Sequence, residues 1–145
     1  MNSQLALNNE LRRLVEARIE QTLKGIEDTL KRILEHQELS LDDLKAIIQS
    51  LEESFTLLSQ KWNLEILYTL FLKNAVGFSG LKMILGVNSR TLSDKLKSLK
   101  QHGYIQRQVE QGPPLRVDYS LTAKGRNTVL LALPLLYYSG GSVSS

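Results

Sequence analysis

The 145-residue chain contains no cysteine, only two histidines, three prolines and a single tryptophan. Without a thiol there is no disulfide scaffold, no thiolate zinc site, no cysteine nucleophile and no thiol redox sensor. His36 and His102 lie far apart with no carboxylates at metal spacing, so neither a metal site nor a histidine general base is expected. Gly112-Pro113-Pro114 reads as a turn, since the glycine pattern and lysine of a phosphate-cradling loop are missing. The chain is therefore read as a non-enzyme, without cofactor or metal. The longest apolar run, Val129 to Tyr138, is about half of a bilayer span and contains Pro134. Met1 to Glu10 lacks the basic-then-apolar layout of a signal peptide. These absences lead to the expectation of a soluble cytoplasmic protein with no membrane partner.

What is present is an uneven distribution of charge. Residues 1–58 hold 7 basic and 11 acidic side chains, whereas residues 59–126 hold 11 basic and 4 acidic, a local charge of +7 within an overall +3. Such a block has the footprint of a surface that meets a polyanion, although basic faces also occur on domains that bind none.

From about Leu5 to Gln37 the residues Leu7, Leu11, Val15, Ile19, Leu23, Ile26, Leu30 and Ile33 recur every three or four positions, which predicts one long helix with an apolar stripe. At about 1.5 Å per residue it is on the order of 50 Å long, more than a small domain covers, so the stripe needs a partner. Leu11, Val15, Ile19, Leu23, Ile26, Leu30 and Ile33 are accordingly the candidate dimer interface, in a coiled coil or a helical hairpin. Glu20 and Lys24, Glu27 and Lys31, and Asp28 and Arg32 are spaced to pair along the outer face. Ser40 and Asp43 resemble a capping box that opens a second stripe through Leu44, Ile47, Ile48, Leu51, Phe55 and Leu58. The short link predicts a hairpin, with one bent helix as the alternative.

Residues 61–72 carry Trp62, Ile66, Leu67, Leu70 and Phe71 at helical spacing, with Trp62 read as a core anchor. A short helix over 79–85 is stopped by Gly86. Asn88 or Ser89 then caps a helix with the stripe Leu92, Leu96 and Leu99, closed by His102 and Gly103. That is the helix-turn-helix order. The period then changes to two: Tyr104 to Glu110, a stiff Gly-Pro-Pro loop, and Val117, Tyr119 and Leu121 predict a two-stranded hairpin, a wing over about 104–121. Thr122 caps a last helix from Ala123 to about Tyr138, kinked or thinned at Pro134, and the Gly/Ser-rich 139–145 reads as a flexible tail.

Lys61-Trp62, Ile66-Leu67, Phe78, Gly80-Leu81, the run from Ser89 to Ser93, Leu96 to Leu99, Gly103-Tyr104-Ile105, Arg107, Pro114, the run from Val117 to Thr122 and Lys124-Gly125 together resemble the HxlR-type winged helix-turn-helix transcription regulators. The resemblance covers residue 61 to about 133. It implies a dimeric DNA-binding protein of the broader MarR-like group. Where the family usually has Arg-Phe, this chain has Gly77-Phe78, so one phosphate contact is missing. Members that sense oxidants or aldehydes are similar except at the cysteine, and no counterpart of the first 58 residues is recognised in the family.

The chemistry of the site also follows from helix geometry. With Leu92, Leu96 and Leu99 inward, the opposite face carries Arg90, Asp94, Lys97 and Gln101, with Ser93 beside it. A major groove about 12 Å wide admits such a helix and brings Arg90, Ser93, Asp94 and Lys97 toward base edges. Arg90 suits a guanine; Asp94 suits a cytosine amine or pairing with Arg90. Ser89 and Thr91 suit phosphate at the helix start, and Lys82, Lys100, Arg107 and Lys124 are backbone contacts or solvated charges. Arg116 on the wing reaches a flanking minor groove or its phosphates. The expected protein is mainly α with a small β-hairpin wing. It has an N-terminal dimerisation extension (1–58), a winged helix-turn-helix domain (59–126) and a C-terminal helix (123–138) that contacts the dimer partner. Its partners would be double-stranded DNA and a second copy, held near the nucleoid; nothing marks an effector site. A DNA-coating architectural protein and a winged helix used for protein interaction are the competing readings.

Overall fold

A computed structural model describes residues 2–37 and 40–139, with side chains described at 9, 10, 12–37 and 40–135. The order is α1 (Asn2–His36), α2 (Leu41–Ser59), α3 (Asn63–Lys73), β1 (Ala75–Gly77), α4 (Phe78–Leu85), α5 (Ser89–Gln101), β2 (Ile105–Glu110), β3 (Arg116–Leu121) and α6 (Ala123–Ser139). The chain divides into two compact units, Met1–Ser50 and Leu51–Ser145, the division falling inside α2. No helix among the described residues is long and apolar enough to cross a membrane.

In the first unit the long helix forms as its spacing predicts, and the break after it is a built one. Ser40 Oγ accepts from Asp43 N–H at 3.1 Å while Ser40 N–H donates to Asp43 Oδ2 at 3.2 Å, a reciprocal cap that starts α2 as a separate helix rather than the continuation of a bent one. Of the three expected ion pairs on α1 only Glu27 with Lys31 closes, at 3.1 Å, and an additional pair, Arg12 with Glu16, forms at 3.1 Å. Exposed pairs of this kind contribute a few tenths of a kcal/mol, so α1 does not depend on them. Ile19 is buried within the single chain and Val15 is half-buried, whereas Leu23, Ile26, Leu30 and Ile33 are about half exposed. The side chain of Leu11 lies outside the described residues, as do 38–39 of the link and 140–145 of the tail.

In the second unit the core joins Ile66, Leu67 and Leu70 of α3, Leu81 of α4, Leu92, Leu96 and Leu99 of α5, and Val129 of α6, with Tyr104 and Ile105 at the root of the sheet. Burying each large aliphatic side chain is worth about 1.5–3 kcal/mol, which makes this cluster the main source of stability. α3 begins two residues later than its periodicity predicts, because Trp62 adopts the left-handed conformation (φ 79°) and turns the chain out of α2. The fully buried Asn63 closes that turn by donating from Nδ2 to Leu57 O at 2.7 Å. Trp62 packs partly buried against the core, with Lys61 Nζ 5.3 Å above its ring.

The sheet has three strands, not the two of the expected hairpin, in the order β1-β3-β2 and antiparallel throughout. β1 pairs Ala75 with Ser120 and Val76 with Tyr119, so the segment between α3 and α4 fastens the wing to the helices. α6 is capped by Thr122, whose Oγ1 accepts from Gly125 N–H at 3.1 Å, and it runs through Pro134. At Gly125 the helix start presses on the backbone of Tyr104, where an added Cβ would collide with the Tyr104 carbonyl oxygen. Since both partners are backbone, Gly125→Ala is expected to destabilise the fold by roughly 3 kcal/mol or more, seen as a lowered denaturant midpoint, with Gly25→Ala as an unobstructed comparison.

Candidate nucleic-acid interface

The presenting helix is α5, and its rotation about its own axis is set by burial. Leu92, Leu96 and Leu99 are 0%, 2% and 0% exposed, while Arg90, Ser93, Asp94, Lys97, Lys100 and Gln101 are exposed. Its start is held by Asn88, whose side chain accepts from Thr91 N–H at 2.8 Å, which chooses Asn88 over Ser89 as the cap and leaves the Ser89 hydroxyl exposed. The turn before it is the left-handed Gly86 (φ 65°). At the other end His102 Nδ1 lies 2.8 Å from Ser98 O and Gly103 takes φ 81°, as the closing pair predicts.

Across from α5 stands the wing. Arg107 on β2 pairs in register with Tyr119 on β3, and these two side chains form one wall of a cleft of about 280 Å³ whose other wall is Ser93, Leu96, Lys97 and Lys100 of α5. Three cations thus share one groove with no acidic lining residue. Among the described residues none of them forms an ion pair, and Arg90 and Asp94 form none with each other. A larger open depression of about 630 Å³ lies on α4 and the turn into α5, lined by Ser79, Lys82, Met83, Gly86, Val87 and Asn88; it carries the single cation Lys82. Arg116 begins β3 at the distal end of the hairpin, exposed and opposite Glu110.

The remaining basic side chains of this unit sort differently. Lys124 Nζ donates to His102 O at 2.9 Å and lies 4.5 Å from the centre of the Tyr104 ring, so it braces the junction of α5, wing and α6. Lys95 donates to Gln60 Oε1 at 3.2 Å, and the Arg126 guanidinium covers the Phe71 ring at 5.2 Å. Tyr119, read from the sequence only as part of an alternating strand, is half-buried against the core and also lines the cation cleft. Nothing in its alternating pattern distinguished the two roles, since the same face of β3 meets both the core edge and the groove.

Helix, turn, presenting helix and a sheet wing in this order define a winged helix-turn-helix protein. Residues 57–136 match the HxlR-like helix-turn-helix family model, and the chain belongs to that family. It is 39% identical over 79 residues to the HTH-type transcriptional regulator sll1512 of Synechocystis sp., a match spanning 53% of this chain and 58% of that protein. It is 36% identical over 76 residues to YvaP of Bacillus subtilis, also named an HTH-type transcriptional regulator, across 52% of this chain and 69% of the relative. The reduced form of the transcriptional regulator YodB from B. subtilis superposes with a TM-score of 0.59 at 23% identity, over 72% of this chain and 94% of that one, and shares the fold.

If Lys100 and Arg107 face a nucleic-acid backbone, replacing either with Ala is expected to weaken DNA binding about equally on all sequences. Each change should also lower the slope of log affinity against log salt by about 1. An unchanged slope would mark them as solvated charges.

Proposed function

We propose that the chain is a homodimeric, sequence-specific transcription regulator, not an enzyme. In this reading α5 enters the major groove of double-stranded DNA and the wing lies along the flanking backbone or minor groove. The observation that carries it is the shared cleft of Lys97, Lys100 and Arg107 between α5 and the wing. It gives the phosphate backbone a cationic seat beside the exposed Arg90, Ser93 and Asp94. Arg90, Ser93, Asp94 and Lys97 are the base-reading set, with Arg90 offering two donors to a guanine and Asp94 an acceptor to a cytosine amine. Ser89, Thr91, Lys82, Lys100 and Arg107 hold the backbone, and Arg116 at the wing tip reaches the neighbouring groove. Lys124 belongs to the backbone-holding set as well, its ammonium also bracing the junction through His102 O.

A second copy extends the stretch of DNA that is read. One helix covers only a few base pairs, and a twofold dimer places two such helices in successive major grooves about 34 Å apart, with half-sites about 10 base pairs apart or a multiple of that. The α1 stripe is the seam, its usable part being Leu23, Ile26, Leu30 and Ile33, because Ile19 is already covered within one chain. α6 adds a further exposed apolar face at Leu130, Leu131, Leu133 and Leu135.

Genomic occupancy mapping tests the reading: a few sharp sites are expected, with preference over bulk DNA of about 10³ or more. Broad, even coverage would turn it into a coating protein. Arg90→Ala is expected to cost about 1–3 kcal/mol at the cognate site and to relax preference at one position, measured by competition binding. Replacing two of Leu23, Ile26 and Leu30 with Lys is expected to give monomers by light scattering; an unchanged mass would move the seam elsewhere.

A further inference from the structure

The cleft between α5 and the wing holds more than the backbone of a duplex asks of it. Its lining residues are Ser93, Leu96, Lys97, Lys100, Arg107 and Tyr119, so every polar side chain in it carries a hydrogen-bond donor and none is a carboxylate. Among the described residues none of these polar side chains closes an ion pair or is engaged in a hydrogen bond. A recess of about 280 Å³ therefore offers three unpaired cations and two free hydroxyls to whatever enters it.

Two of its features exceed what a backbone phosphate uses. The first is charge. Each phosphodiester of DNA brings one negative charge against the three cations, whereas a terminal phosphate monoester brings about 1.5 to 2 charges at neutral pH and three strong acceptor oxygens. The second is the apolar part of the lining. Leu96 is 2% exposed, so the recess reaches down to the core on the α5 side, and half-buried Tyr119 stands on the wing side. Neither side chain serves a phosphate through its apolar surface; together they suit a flat ring, which gains by stacking on an aromatic side chain. The volume lies near the lower end of the roughly 300–1,000 Å³ of small-molecule sites.

We infer that the cleft is a binding site for a small phosphorylated aromatic molecule, its terminal phosphate held by Lys97, Lys100 and Arg107 and its ring between Leu96 and Tyr119, and that occupancy excludes DNA. The exclusion rests on the DNA-reading role proposed above. Ser93 and Lys97 belong to the base-reading set, and Lys100 and Arg107 to the set that holds the backbone. One bound molecule thus takes both sets from the duplex at once, by direct competition and without any movement of the wing.

The test uses the full chain, with phenyl phosphate as the probe and inorganic phosphate as its ringless comparison. Ionic strength is held constant, because affinity for a polyanion falls with salt. By titration calorimetry phenyl phosphate is expected to bind once per chain and about tenfold tighter than inorganic phosphate, the effect of one aromatic stack. Tyr119→Leu is expected to bring the two probes level. Lys100→Ala, at an exposed position that leaves the core untouched, is expected to weaken both about tenfold, as the loss of one charge-assisted bond does. In a competition assay phenyl phosphate is expected to displace a labelled duplex in proportion to its occupancy of the chain. No saturable binding of phenyl phosphate, or binding no tighter than that of inorganic phosphate, overturns the inference, and the duplex bound by the same chain then leaves the DNA reading standing. Phenyl phosphate bound beside an undisturbed duplex overturns the competition. A chain that binds phenyl phosphate but no duplex supports the ligand site and overturns the DNA reading.

Discussion

Leu92, Leu96 and Leu99 are sealed against α3, α4 and the root of the sheet, and that burial sets the rotation of α5. A helix of 13 residues has one free rotation about its axis, and three fully covered leucines remove it. Turning α5 by one residue, about 100°, would bring Ser93 or Lys97 into the core at a desolvation cost of several kcal/mol. The outward aim of Arg90, Asp94 and Lys97 is therefore a by-product of apolar packing. Their own interactions contribute little to it, since neither Arg90 nor Asp94 is held by an ion pair among the described residues.

The wing is tied to that same helix through a short stretch of backbone. Tyr104 N–H donates to Leu99 O at 3.0 Å, Thr122 N–H donates to Tyr104 O at 3.1 Å, and the Thr122 hydroxyl donates to Gly103 O at 2.5 Å. Lys124 closes the set on His102 O. With β1 paired on the other side of β3, the hairpin is anchored at its root from two directions. A cleft with Lys97 and Lys100 on one wall and Arg107 on the other keeps its width only if the walls move together. Such preorganisation spares a bound partner the ordering cost that a loose hairpin would incur.

Local signals were the most readable part of the chain. The Ser40 and Asp43 cap, the Asn88 cap, the glycines that stop α4 and α5 and the Thr122 cap all sit where residue type and spacing put them, because each depends on side chains and backbone a few residues apart. β1 was not readable: three residues, Ala75-Val76-Gly77, are too few to display alternation, and their strand conformation comes from pairing with β3 more than forty residues away. The start of α3 was misplaced for a similar reason. Lys61 and Trp62 look helical by period, but the buried bond from Asn63 to Leu57 O holds Trp62 in a left-handed turn that no local preference would choose. Two of the expected surface pairs on α1 stay open among the described residues because their gain barely exceeds the entropy of holding two long side chains.

Amino-acid order alone determined the succession of helices and the hairpin that follows them, the inward face of α5 and the segregation of positive charge into the latter half, since these follow from periodicity and composition. Which of those charges gather was decided in three dimensions. Lys100 and Arg107 come from a helix and a strand, and only the registry of β2 with β3 and the fastening of the wing to α5 bring them into one groove. Lys124 and Lys95, equally basic on paper, are drawn instead to a carbonyl and a glutamine that folding happens to place within reach. Charge is carried by the residue, but its address is a property of the packing.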